Sequence, residues 1–137
     1  MTAQSVYLDS SALVKLVVRE RESIALRAWI PTDVRLATSE LSRTEVIRSV
    51  RPFGPESVAI GRELFRGLEF LSLDRPLFDT AAVLEPATLR SLDAIHLASA
   101  MALRDDLLVL VTYDERMLAK AHTLGLPIAS PGIKTTP

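Results

Sequence analysis

The chain has 137 residues, no cysteine and a formal net charge of −1, with 48% hydrophobic and 24% charged residues. This balance is that of a single globular domain with enough chain for one core, and it excludes disulfides and cysteine-ligated zinc. The lack of a basic excess counts against broad electrostatic capture of nucleic acid, though a local patch or a bound cation can reverse the field at one place.

No apolar run is long enough to span a bilayer, and the first residues carry no secretory signal pattern. With no cysteine, the expectation is a soluble protein of a reducing cytoplasm, folded as one domain over 1–137.

Ser5-Val6-Tyr7-Leu8 is a β-prone run ending at Asp9, and Ser10 or Ser11 is the expected N-cap of a helix over 12–18. Residues 19–22 form a charged break. A short helix over 23–30 is closed by Pro31. Residues 34–38 alternate as a second strand. Ser39 is expected to cap a helix over 40–51, which Pro52 and the Gly54-Pro55 pair end. A helix over 56–67, a strand over 70–73 and a helix over 75–84 follow.

The stretch 93–103 reads as a helix that is apolar or small on nearly every side, the pattern of a buried helix. It carries one carboxylate, Asp93. Leu107-Leu108-Val109-Leu110-Val111 is a continuous apolar run, as in a strand covered on both faces. Thr112-Tyr113-Asp114 ends it. A helix over 115–124 with Gly125 as its C-cap, a short strand over 127–129 and a loose tail over 134–137 complete the chain. The alternation predicts an α/β fold: a three-layer α/β/α sandwich around a central, mostly parallel sheet.

Asp9 and Asp114 each lie just past a strand, where open parallel sheets bind their ligands. Asp93 opens the helix that leads to the second of these strands, and Glu45 lies in the helix after the second strand. Gathered in one pocket, these acids repel; one close pair costs about 4 kcal/mol at an effective dielectric near 20. Protonation or a divalent cation relieves this, and an all-oxygen set suits Mg²⁺ or Mn²⁺. Taken singly, each acid has a plainer use. Asp9 and Asp114 suit helix caps or the positive helix end, and Glu45 suits a solvated face paired with Arg48. Glu40 falls in the first turn of its expected helix, so Glu45 is the preferred site acid. His96 stands one turn after Asp93 on the same face and is read as a supporting histidine. Thr112 is placed to orient Asp114 or contact phosphate. Lys15, Arg19, Arg43 and Arg48 are candidates for lining a groove near the site or for solvated faces.

Four blocks together resemble a PIN domain, and more specifically a VapC-type toxin ribonuclease of a type II toxin–antitoxin pair. They are Val6-Tyr7-Leu8-Asp9-Ser10-Ser11-Ala12-Leu13, Ser39-Glu40-Leu41-Ser42-Arg43-Thr44-Glu45-Val46, Leu92-Asp93-Ala94-Ile95-His96-Leu97-Ala98, and Leu110-Val111-Thr112-Tyr113-Asp114-Glu115-Arg116. The resemblance runs from residue 5 to about 130, and over 53–89 it extends only to general helical character.

The resemblance implies a Mg²⁺- or Mn²⁺-dependent endoribonuclease whose catalytic and metal-holding acids are Asp9, Glu45, Asp93 and Asp114. Asp9 and Asp93 are its principal ligands, with Ser10, Thr112 and His96 in support or in contact with phosphate. It also implies an RNA substrate, a homodimer and a cognate VapB-type antitoxin. Two readings of other classes stand beside it. A receiver-type phosphorylation domain wants a second acid next to Asp9, where Ser10 stands; a non-catalytic RNA- or protein-binding domain would keep the fold and leave the acids unused.

Overall fold

A computed structural model of the chain describes residues 4–133, so the expected loose tail lies outside the described residues. Five strands form one sheet: β1 (Ser5–Leu8), β2 (Arg35–Ser39), β3 (Glu69–Leu71), β4 (Leu107–Val111) and β5 (Ile128–Ala129). Their order is β3-β2-β1-β4-β5, and every pairing is parallel. The chain therefore builds outward from β1 in one direction, then returns to its other side with β4. That reversal opens a crevice between the carboxyl ends of β1 and β4.

Strand alternation sorts the core into two faces. Val6 and Leu8 of β1 and Val109 and Val111 of β4 pack with α1 (Ser10–Val17), α2 (Ser23–Trp29), α3 (Ser42–Val50) and α4 (Pro55–Phe65). Tyr7 and Leu110 point the other way, toward α6 (Ser91–Met101) and α7 (Glu115–Thr123). A further helix, α5 (Arg75–Ala82), lies against α6 through Leu77 and Ala81. The architecture is the expected α/β/α sandwich. It forms because β1 and β4 are apolar on both sides and need a helical layer over each.

Local chemistry moves several boundaries. Asp9 itself caps α1, its side chain accepting from Ala12 N, so neither Ser10 nor Ser11 is the cap. Ser39 Oγ accepts from Leu41 N, which makes a turn, and α3 starts only at Ser42. Glu40 thus precedes the helix, and Glu45 is the acid of its first turn. Asp74 caps α5 through Leu77 N. Gly125, at φ 76°, closes α7; its N–H reaches His122 O, and Leu126 N reaches Ala121 O, which together satisfy the last carbonyls.

The helix expected to be buried all round is buried only from Ala94 onward. Leu92 is 50% exposed, and Asp93 is half-buried. Its first turn projects beyond the apolar layer, which sets Asp93 at the crevice rather than in the core.

Leu110 is fully buried at the centre of β4. Leu110→Ala is expected to cost about 2–5 kcal/mol, the usual range for such a cavity. Urea unfolding followed by circular dichroism measures it; a loss below about 1 kcal/mol would mean the layer above β4 collapses to fill the space.

Candidate active site

Asp9 is the most constrained acid of the crevice. The β1–α1 junction leaves it 3% exposed. Its Oδ1 accepts from Ser11 Oγ at 2.6 Å and from Ala12 N at 3.0 Å, and its Oδ2 accepts from Thr112 Oγ1 at the end of β4. Thr112 Oγ1 in turn accepts from Asp114 N at 3.2 Å, and Ser11 Oγ accepts from Tyr113 N at 2.9 Å. These bonds lock the two strand ends to each other through Asp9. Burial pushes the Asp9 carboxyl above its ordinary range, although the neighbouring His96 and the hydrogen bonds from Ser11, Thr112 and Ala12 oppose that rise. None of the ion pairs among the described residues includes Asp9.

Glu45 belongs to a second network. Its Oε1 accepts from Ser10 Oγ at 2.5 Å and from His96 Nε2 at 2.6 Å. Burial alone would raise its carboxyl, but the hydrogen bonds from His96 and Ser10, with the charge of His96, outweigh burial and hold it below the usual range. Ionised Glu45 only accepts, so His96 carries its hydrogen on Nε2. The Tyr7 hydroxyl is hydrogen-bonded to His96 Nδ1 at 2.8 Å. Burial, followed by the charge of Asp9, raises the Tyr7 phenol and keeps it protonated. Behind Glu45, Ser42 Oγ lies 3.3 Å from Ser10 Oγ and 2.7 Å from Thr38 Oγ1. Both of Glu45's bonds end on Oε1.

Asp93 and Asp114 form the open side. Burial, then the charge of Asp114, raises the Asp93 carboxyl; His96 and Arg90 pull it back, and Glu45 adds to the rise. Asp114 is exposed and caps α7, its Oδ1 accepting from Arg116 N at 2.9 Å and Met117 N at 3.3 Å. It therefore fills the cap role and still repels Asp93.

The sequence-predicted residues thus gather in three linked groups. Asp9 joins Thr112, Glu45 joins Ser10 and His96, and Asp93 joins Asp114. His96 acts electrostatically on Asp9, Glu45 and Asp93 alike. Sequence reasoning overlooked Tyr7, Thr38, Ser42 and the double role of Ser11. One signal was available: Tyr7 carries a hydroxyl between Val6 and Leu8, on the face of its strand that meets α6. Lys15 and Arg43 are already engaged. Lys15 pairs with Glu22 at 2.7 Å and lies over the Tyr113 ring; Arg43 pairs with Glu40 at 2.8 Å and stacks on Phe70.

The donor set fits a hard divalent cation. It offers carboxylate and hydroxyl oxygens, and Asp9 is a buried carboxylate without a cationic partner, an arrangement that a bound cation would relieve. Among the described residues no three His, Cys, Asp or Glu side chains already stand together at metal-holding spacing.

Comparison with known proteins shows the family and the shared fold. A sequence profile described as "PIN domain" matches residues 6–122. The chain is 46% identical over 127 residues to a protein named Ribonuclease VapC46 from Mycobacterium tuberculosis (strain ATCC 25618 / H37Rv), covering 93% of this chain and 98% of that one. It is 42% identical over 132 residues to one named Ribonuclease VapC47 from Mycobacterium tuberculosis (strain CDC 1551 / Oshkosh), covering 93% and 97%. A solved chain titled "Toxin-antitoxin complex from Klebsiella pneumoniae" shares the fold, with a TM-score of 0.69 at 22% identity over 95% of this chain and 99% of that one.

The elevated Asp9 carboxyl has a consequence for stability. Below about pH 3.9 the group is protonated in both folded and unfolded chains and carries no ionisation cost. As pH rises through the higher folded-state value, ionising the buried group draws on folding free energy. Asp9→Asn in EDTA is therefore expected to be more stable than wild type near pH 8, by about 0.5–2 kcal/mol, with the advantage shrinking on acidification. Thermal unfolding across pH checks this; a less stable Asn variant at pH 8 would contradict the assigned cost.

Proposed function

The chain belongs to the PIN-domain family, and from that membership we propose that it is the toxin of a toxin–antitoxin pair, an endoribonuclease that hydrolyses RNA phosphodiester bonds with Mg²⁺ or Mn²⁺. The observation that carries the reading is Asp9, a carboxylate buried at the β1–β4 crevice without a cationic partner and fixed from both strand ends. Two relatives that nearly span this chain are named ribonucleases, and the chain's fold is shared by a member of a toxin–antitoxin complex. An antitoxin partner, a homodimeric state and a cytoplasmic setting follow from the same reading. Among the described residues no helix is long and apolar enough to cross a membrane.

Asp9 and Asp93 are the residues to hold the ion, with Glu45 and Asp114 completing the acidic wall. When bound, the ion supplies Lewis-acid polarisation of the phosphodiester and a more acidic water. The chain's own groups do the rest. Thr112, Ser11 and Ala12 N aim the Asp9 carboxylate. Ser10 and His96 hold Glu45 through Oε1, so that Oε2 can accept a hydrogen from a water lined up for in-line attack. Tyr7 anchors His96 from the core side. The low net charge agrees with this reading, since attraction for phosphate is then local rather than spread over the surface.

Asp93→Asn tests the proposal. Its half-buried position makes the variant tolerable to the fold. The purified variant is expected to lose Mg²⁺-dependent RNA cleavage by more than the roughly 10–100-fold that loss of a supporting outer group costs. Expression of the wild type alone should arrest growth, and expression of the variant should not. Wild-type cleavage rates in pure Asp93→Asn protein would overturn the assignment.

A further inference from the structure

A cleft of about 390 Å³ opens beside Asp93, between the entry to α6 and the outer face of α7. That volume falls within the roughly 300–1,000 Å³ of sites that take small ligands. Three cations line it. Arg90 stands at the N-cap of α6, while Arg116 and Lys120 are four residues apart on α7 and share one helix face. Thr88 contributes a hydroxyl, and Leu89 and Ala119 form apolar wall.

Like most cations of the molecule, Arg90, Arg116 and Lys120 are in no ion pair among the described residues, but these three converge on one cleft. They crowd around the rim of a pocket whose own acids, Asp93 and Asp114, repel each other. A chain of net charge −1 has little general pull on a polyanion, so three unpaired cations converging from distant parts of the sequence mark a place built for an anion. Each guanidinium offers a planar fork that matches two phosphate oxygens, and the lysine adds a point charge. The apolar wall suits the sugar beside such a phosphate.

We propose that the cleft of Arg90, Arg116 and Lys120 binds a backbone phosphate of the RNA adjoining the phosphodiester that is cut. The inference rests on the ribonuclease reading above. An RNA strand has to pass out of the acidic pocket, and its charge is opposed there by Asp93 and Asp114. The cleft adjoins Asp93 directly, so its cations offset that repulsion within a step of the reacting group. Contact through phosphate positions the strand without reading its bases.

The experiment uses the full chain carrying Asp9→Asn, chosen so that cleavage does not compete with binding, and single-stranded oligonucleotides of U or of A followed by fluorescence anisotropy. Arg90 and Arg116 are exposed, so Arg90→Gln with Arg116→Gln leaves the fold intact. At fixed Mg²⁺ in a NaCl series, this pair of changes is expected to weaken binding equally for both sequences. It should also reduce the slope of log K against log salt by about 0.7, the value for one phosphate neutralised on a single strand.

An unchanged Kd and slope, while the wild type cuts RNA, would overturn the cleft assignment alone. Failure of the wild type to cut RNA would overturn the ribonuclease reading and this inference with it. Unchanged RNA binding with lost binding of a polyglutamate peptide would make the cleft a site for an acidic protein segment, and would also overturn the proposal.

Discussion

The structure depends on one costly placement, the Asp9 carboxylate buried where β1 turns into α1. A negative charge in that position is unfavourable unless something answers it. Within the chain the answer is partial: two hydroxyls and one backbone N–H accommodate the oxygens, but no cationic side chain does. The same bonds tie the end of β4 to the end of β1, so the group that weakens the fold electrostatically also fixes the geometry of the crevice. Sheet order makes this possible, because β1 and β4 are neighbours although a hundred residues separate them.

Around that charge the polar groups divide their work. Glu45 is kept ionised by His96 and Ser10, Asp9 and Asp93 are pushed toward protonation, and Asp114 is spent on capping α7. Acids whose environments drive them apart in this way are typical of sites that move protons and hold ions. The apolar layers bear on the same point from below. Tyr7 reaches His96 only because strand alternation turns it away from Val6 and Leu8, toward α6.

Much of this was legible in the sequence where one physical term dominated. The unbroken apolar run 107–111 reads as a doubly covered strand; it forms β4 over those residues, buried from Val109 to Val111, while Leu108 is exposed. The strand–helix alternation led to the right layers, and positions at strand ends and helix starts drew attention to the four acids, to which the family resemblance then gave roles. Boundaries were less legible because caps compete. Asp9, Ser10 and Ser11 are all good caps, and the backbone of Asp9, at φ −76° and ψ 178°, decides among them. Ser39 spends its hydroxyl on a turn, so α3 starts late. Composition made α6 look buried at Asp93, but composition does not tell where a helix outruns the sheet beneath it. The cationic cleft escaped notice because Arg90 lies far along the chain from Arg116 and Lys120, and only the packing of α6 against α7 brings them together.

The claim at the centre is that the crevice acids are arranged to hold a divalent cation. Mn²⁺ uptake by the metal-free chain, followed by electron paramagnetic resonance as loss of the free-ion signal, tests it most directly. The account predicts saturable uptake by the wild type and much weaker uptake when Asp9 and Asp93 are both replaced by asparagine. No uptake by the wild type, or equal uptake by the two proteins, would contradict it.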